Sequence, residues 1–341
     1  LTTELVETVA WLIDMPSVTG HEAGLRDAIA ARLGGMSHQI IADSLVVGEP
    51  VDGTIILAGH LDTVPSQGDV GAWVEGDRVH GLGATDMKGG LAVMIHLVET
   101  LGPAGLACVF YAGEEGPLSG NQLGTVLEEA PWLTSASAGV VLEPTDRALE
   151  AGCQGVVNAD LVFLGESAHS ARPWLGDNAV TKAGEFLTHM RGLEPELHVV
   201  QGLEFREVMT VTTAHGGVAR NVVPSEFVMS VNYRFAPDRD AEDAVARLLE
   251  VSSAADRVDV TDVAPAGSVD ADHPLFHDLI RRSGARVLGK QGWTDVAQLT
   301  AAGIPAVNFG PGEPALAHKP GESVRIEDLT WAYDSLLDVL R

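Results

Sequence analysis

Among the 48 acids and 12 histidines of this sequence, seven side chains stand out as candidates to hold cations or move protons. They are His60, Asp62, Asp86, Glu114, Glu115, Glu143 and His318. His60 and Asp62 lie in Gly59-His60-Leu61-Asp62-Thr63-Val64-Pro65, just after the apolar run 54–58. Asp86 sits in the glycine-rich stretch 81–90, and Glu114 and Glu115 stand between Gly113 and Gly116. Glu143 follows the apolar run 138–142 and precedes Pro144, and His318 lies in the polar stretch 317–322. Two imidazoles with several carboxylates and no thiolate suit Zn²⁺, Mn²⁺ or Co²⁺. The acids suffice for two ions sharing one carboxylate. Taken singly, each residue has an ordinary reading as a strand-end histidine, a turn aspartate or a surface glutamate. Jointly they share a property, since all fall at strand ends or in glycine loops. His96, in mid-helix, and His38, His189 and His198, in polar stretches, do not share it. Neighbours on a strand point to opposite faces, so Glu114 and Glu115 are expected to have different jobs.

The elements that must carry these groups alternate. Helical spacing is expected over 3–13, 22–33, 91–101 and 119–129, and strands over 39–47, 54–58, 105–112 and 138–142. This predicts an α/β domain with a parallel or mixed sheet, whose functional groups gather at the carboxyl ends of the strands. The pattern then changes. Strands at 156–164, 207–214, 226–235 and 256–263, with helices at 177–190 and 240–251, spell β-α-β-β-α-β, the ferredoxin-like α+β order. Helices at 273–288, 295–302 and 327–340 and a strand at 305–309 resume the first pattern. Residues 1–153 and 266–341 are therefore expected to form one discontinuous domain, with 154–265 looped out of it.

Composition narrows the partners. A formal net charge of −27 argues against nucleic acid and anionic membrane as partners. An anionic substrate would need arginine or lysine in its pocket. The two cysteines, Cys108 and Cys153, form no CxxC pair and fit a reducing compartment. No run approaches a membrane span and no secretory signal is visible, so a cytoplasmic protein is expected. His21-Glu22 lacks the second histidine of a zinc helix, and Gly81-Leu82-Gly83 lacks the third glycine of a dinucleotide loop. Neither a GxSxG elbow nor a Walker A loop is present.

With Gly81-x-Gly83-x-x-Asp86-Met87-Lys88-Gly89-Gly90, Glu114-Glu115-Gly116, Glu143-Pro144-Thr145, His169-Ser170-Ala171-Arg172-Pro173, Asn221-Val222-Val223-Pro224 and Ala317-His318, the chain resembles the M20 family of dinuclear zinc amidohydrolases and peptidases. The narrower likeness is to its actinobacterial desuccinylase branch. It rests on Glu150-Ala151-Gly152-Cys153-Gln154-Gly155, Tyr233-Arg234-Phe235-Ala236-Pro237-Asp238 and Gly292-Trp293-Thr294-Asp295-Val296-Ala297. The resemblance implies a zinc-peptidase-like catalytic domain and an inserted domain that makes a homodimer. It implies two divalent ions, zinc first, with cobalt or manganese possible. His60 and Glu143 would hold one ion, Glu115 and His318 the other, and Asp86, followed by a cis peptide, would bridge them. Asp62 would hydrogen-bond His60, Glu114 would act as base, and His169 would reach the neighbour's site. Arg234, Arg172, Asn221 and the backbone of Gly310 would bind an anionic small molecule, N-succinyl-LL-2,6-diaminopimelate. The alternatives are acetylornithine deacetylase, a metallo-carboxypeptidase and, from another class, a catalytically silent dimeric binding protein.

Overall fold

The runs without polar residues become strands buried on both faces, because only a covered sheet can take them. The computed structural model describes residues 1–68 and 71–341. These residues divide into two units. The first comprises Leu1–Gly152, Gly267–Lys290 and Thr294–Arg341, and the second Cys153–Ala266 with Gln291–Trp293.

Among the described residues, the first unit holds an eight-stranded mixed sheet. Its centre is parallel: Leu106–Tyr111, Ile55–His60, Ala138–Pro144 and Ala306–Gly310 lie side by side in that order. The carboxyl ends of these strands therefore face one edge, and the strands deliver Glu114, His60 and Glu143 there. The helix Gly89–Leu101 is apolar nearly all round, and ten of its thirteen residues are buried. A helix this apolar must be covered on most of its surface, and it packs between the sheet and the helices Thr2–Ile13 and Ile326–Leu340.

In this unit three expectations need correction and one element was not foreseen. The stretch 39–47 is a hairpin, His38–Ile41 against Ser44–Val47, turning at Ala42 with φ 49°. The turn pair is Ala42-Asp43, and a single aspartate beside an alanine in an otherwise apolar run is too weak a turn signal to split it. The helix expected over 273–288 stops at Ser283, where Gly284 takes φ 69° as a left-handed cap. Arg286–Lys290 follows as an edge strand. Glu114 and Glu115 lie in a turn beyond the strand Leu106–Tyr111, so the alternation of a strand does not govern them. A three-stranded sheet of Trp73–Glu75, Arg78–His80 and Ser323–Arg325 had no counterpart in the sequence reading. Three-residue strands are too short to show a period.

The second unit is an antiparallel sheet in the order Glu196–Val200, Leu203–Gly216, Glu226–Phe235, Gly155–Leu164, Arg257–Ala264. This is the expected β-α-β-β-α-β order with one added edge strand, Glu196–Val200. The helices on one face bury Phe186, Ala244 and Leu248 against Phe163, Phe227 and Tyr233. Ala179–Lys182 and Ala241–Val251 each start at a side-chain cap worth about 1 kcal/mol: Asn178 Oδ1 accepts from Val180 N at 3.0 Å, and Asp240 Oδ1 from Asp243 N at 2.7 Å, whereas Gly184–Gly192, which carries Phe186, has no such cap. The helix expected over 177–190 is two pieces, Ala179–Lys182 and Gly184–Gly192. Gln291–Trp293, assigned from sequence to the first domain, belong with the second. Gln154 N donates to Gly292 O at 3.0 Å, Gln291 receives Arg206 N at 3.0 Å, and Trp293 Nε1 donates to Pro265 O at 3.0 Å.

Candidate metal centre

Two histidines each face two carboxylates. His60 Nε2 lies 3.1 Å from Asp86 Oδ1 and 3.6 Å from Glu143 Oε1. His318 Nε2 lies 3.0 Å from Glu115 Oε1 and 3.4 Å from Asp86 Oδ2. The two oxygens of Asp86 thus serve two different histidines. Ligands placed tetrahedrally around Zn²⁺ at ~2.05 Å stand about 3.3 Å apart, and the observed spacings straddle that value. The residues fit two divalent cations, with His60 and Glu143 on one side, Glu115 and His318 on the other, and Asp86 between. The Asp86–Met87 peptide is cis.

Asp62 works differently from the expectation. His60 Nδ1 lies 2.9 Å from the Asp62 backbone oxygen and 3.6 Å from its carboxylate. Asp62 therefore fixes the ring through its carbonyl, leaving Nε2 for a cation. Its carboxylate holds the acid pair instead. Oδ1 accepts from Gly113 N at 3.0 Å and Glu114 N at 3.1 Å, and Oδ2 from Glu115 N at 3.0 Å and Thr19 Oγ1 at 3.0 Å. Hydrogen bonds to a charged group contribute about 1.5–3 kcal/mol each. The turn also needs Gly113, which has φ 81°, and a Cβ there would stand 2.2 Å from the Gly120 carbonyl oxygen. The turn separates the two acids. Glu115 joins His60 and Asp86 in a cluster whose donor atoms lie within 4.8 Å of one another. Among the described residues, the Glu114 carboxylate has neither hydrogen bond nor ion pair.

The electrostatics follow from crowding acids around buried imidazoles. Burial opposes charge on His60, yet the hydrogen bond to Asp86 and the charges of Glu114, Glu143 and Asp62 raise its pKa well above the usual value. Hydrogen bonds to Asp86 and Glu115 push His318 up to about 10 against burial. Burial, then Asp86, pushes Glu143 up to about 8, with His60 and Lys290 opposing. Burial also raises Glu114, His60 pulling it back while Glu143, Asp295 and Glu115 add to the rise.

These shifts share one sign. Groups with raised pKa bind protons more tightly in the folded state, so their contribution weakens as pH rises through the folded value. The metal-free protein is expected to lose stability as pH rises from about 4.5, through about 8 for Glu143 and towards about 10 for His318. Dications must displace the same protons. Zinc titration at pH 7, by calorimetry in two buffers of different ionisation enthalpy, should show net proton release and tighter apparent binding at higher pH. Zinc uptake without proton release would contradict this electrostatic picture.

The remaining predicted residues separate into two sets. Gly310 closes the strand Ala306–Gly310, where a Cβ would stand 2.3 Å from the Leu142 carbonyl oxygen, and its own carbonyl accepts from Thr145 Oγ1 at 3.0 Å. The glycine is thus required by packing. In the second unit, backbone pairing joins the His169 and Asn221 segments: Ser170 N donates to Asn221 O at 3.0 Å and Val223 N to Ala168 O at 2.8 Å. His169, Arg172 and Asn221 are exposed. His169 Nδ1 accepts from Ala171 N at 3.0 Å, so a neutral ring carries its proton on Nε2 and can donate from there. Arg234, half-buried in the strand Glu226–Phe235, donates from Nε to Asn232 Oδ1 at 3.0 Å.

Sequence reasoning missed two supports. Lys290 Nζ pairs with Glu150 at 2.8 Å and reaches Pro144 O at 3.3 Å, beside Glu143. Glu322, buried, accepts three backbone N–H groups of the Asp86 loop. Its place four residues after His318 was the available signal. A further grouping in the second unit, Glu196, His198 and Glu207, is poorly suited to a cation. Glu207 is already occupied by Arg239 at 2.9 and 3.1 Å, Tyr233 Oη at 2.7 Å and Ala236 N at 3.0 Å.

Comparison with known proteins agrees with this geometry. The sequence model of peptidase family M20/M25/M40 matches residues 56–341. A Mycobacterium tuberculosis protein provisionally named succinyl-diaminopimelate desuccinylase DapE is 39% identical over 340 residues, 97% of this chain and 96% of its own length. The succinyl-diaminopimelate desuccinylase of Corynebacterium glutamicum is 33% identical, covering 94% of this chain and 91% of its own. A tripeptidase from Staphylococcus aureus has the same fold, with a TM-score of 0.80 at 21% identity over 99% of this chain and 97% of that one.

Proposed function

Because this chain belongs to peptidase family M20/M25/M40, we propose that it hydrolyses the succinyl amide of N-succinyl-LL-2,6-diaminopimelate to succinate and LL-diaminopimelate. The observation that carries this reading is similarity to desuccinylases along more than nine-tenths of both chains. An acetylornithine deacetylase of Myxococcus xanthus is 32% identical but is matched over 81% of this chain and 76% of its own.

Two zinc ions held by His60, Asp86, Glu115, Glu143 and His318 would polarise the amide carbonyl and acidify water. The chain's own residues do the rest. Glu114 takes a proton from the attacking water and returns it to the nitrogen as the C–N bond breaks. Its lack of a fixed partner suits a group that must both accept and release a proton. The chain acts as a homodimer joined through residues 154–265, and His169 of the partner subunit donates Nε2–H to the developing oxyanion. The substrate carries three carboxylates, and Arg234, Arg172 and Asn221 supply the donors that a chain of net charge −27 must concentrate locally. A cytoplasmic location belongs to the same proposal and is supported by the two free, buried cysteines.

The test is a substrate comparison with the zinc-loaded enzyme. The succinyl compound should exceed N-acetylornithine in kcat/KM by about a hundredfold or more. Turnover of acetylornithine alone would overturn the assignment.

A further inference from the structure

Glu322 is an unusual carboxylate for its surroundings. It is 2% exposed, and among the described residues it has no ion-pair partner. Burying a carboxylate is costly unless hydrogen bonds replace water. Three backbone amides do so: Oε1 accepts from Thr85 N and Asp86 N, each at 2.9 Å, and Oε2 accepts from Gly83 N at 3.1 Å. Successive amides converging on one anion form a cradle of the kind that binds free anions. Here the anion is part of the protein.

The backbone of Glu322 is pinned as well. Its carbonyl accepts from Gly81 N at 3.0 Å and its N–H donates to Lys319 O at 3.2 Å. The chain then enters the strand Ser323–Arg325, which pairs antiparallel with Arg78–His80, Ser323 opposite His80. The loop ending in Asp86 and the loop containing His318 therefore leave adjacent strands and are tied again by one side chain. The tie acts on Asp86 at its own amide, and Asp86 is the residue whose oxygens face both histidines.

We propose that Glu322 is the positioning residue of the metal centre, holding the Asp86 carboxylate between His60 and His318 so that both cation positions form together. It is not a ligand, because its oxygens are turned to the backbone of the Gly83–Asp86 loop. The proposal rests on the two-metal reading above.

The test is Glu322→Gln, which keeps the shape but turns an NH₂ group towards at least one backbone N–H. Metal-free protein would be titrated with Zn²⁺ by calorimetry, and with Co²⁺ by visible absorption. We expect affinity to fall about 10–100-fold, as for other groups that orient ligands, with an altered Co²⁺ spectrum. The melting temperature of the metal-free form should fall too, because the NH₂ group leaves Gly83 N or its neighbours without an acceptor; the loss of metal affinity is the readout that a structural role alone would not give. Wild-type affinities and spectrum in the variant would overturn the proposal. A lower metal-free melting temperature with unchanged metal affinity would also overturn it, since that marks a structural role alone. Should Glu322→Gln fail to fold, Glu322→Asp keeps the charge on a shorter arm and should still weaken zinc binding; unchanged affinity there would be equally decisive. If the unsubstituted protein fails to take up two ions, the two-metal reading fails instead.

Discussion

Glu114→Gln should keep both cations and lose about a thousandfold in kcat. Glutamine fills the same space and cannot carry the proton from water to the leaving nitrogen. Two observations make the metals safe in this variant. Glu114 lies outside the donor cluster, whereas its neighbour Glu115 stands 3.0 Å from His318. The Glu114 amide, which Asp62 grips, is unchanged by the substitution. KM should move little, because the lost interaction belongs to the transition state. Metal content by elemental analysis and steady-state kinetics check this together. Activity within tenfold of the parent would remove Glu114 from the proton path. Loss of an ion would make it a ligand.

The second large effect concerns His169. Alone, His169→Ala should cost about a hundredfold or more in kcat, the usual loss for an oxyanion donor. Mixed with Glu114→Gln subunits under conditions that exchange subunits, it should regain about a quarter of the parental activity. Random reassortment makes about half the dimers mixed, and each mixed dimer holds one complete site of two. That figure holds only if the histidine serves the neighbouring subunit. Mixed dimers, verified by differential tags, with no more activity than either parent would show that each subunit uses its own His169 or none.

Much of the centre was legible because parallel strands advertise themselves. Apolar runs at 54–58, 105–112 and 138–142 announced buried strands, and reactive residues at their ends follow from sheet geometry. His60, Asp86, Glu115, Glu143 and His318 come together as the sequence suggested. What was not legible lies in backbone hydrogen bonding. The Asp62 carboxylate receives Gly113, Glu114 and Glu115, and Glu322 receives Gly83, Thr85 and Asp86. A donor that every residue but proline possesses leaves no mark in composition. The hairpin at Ala42-Asp43 and the three-residue strands were hidden because one carries a single weak turn residue and the others no full period. The inserted unit read well because its strands are long, Glu226–Phe235 alternating in burial along its length.

Asp62 has a consequence for how this centre can change. One carboxylate grips the amides of Gly113, Glu114 and Glu115, and the carbonyl of the same residue orients His60. The aim of the proton carrier, the aim of its neighbouring ligand and the tilt of the imidazole are thereby a single degree of freedom. A substitution that re-aims one drags the other two with it. If His169, Arg172 and Asn221 act as proposed, these exposed groups offer an easier route to new chemistry than the turn itself.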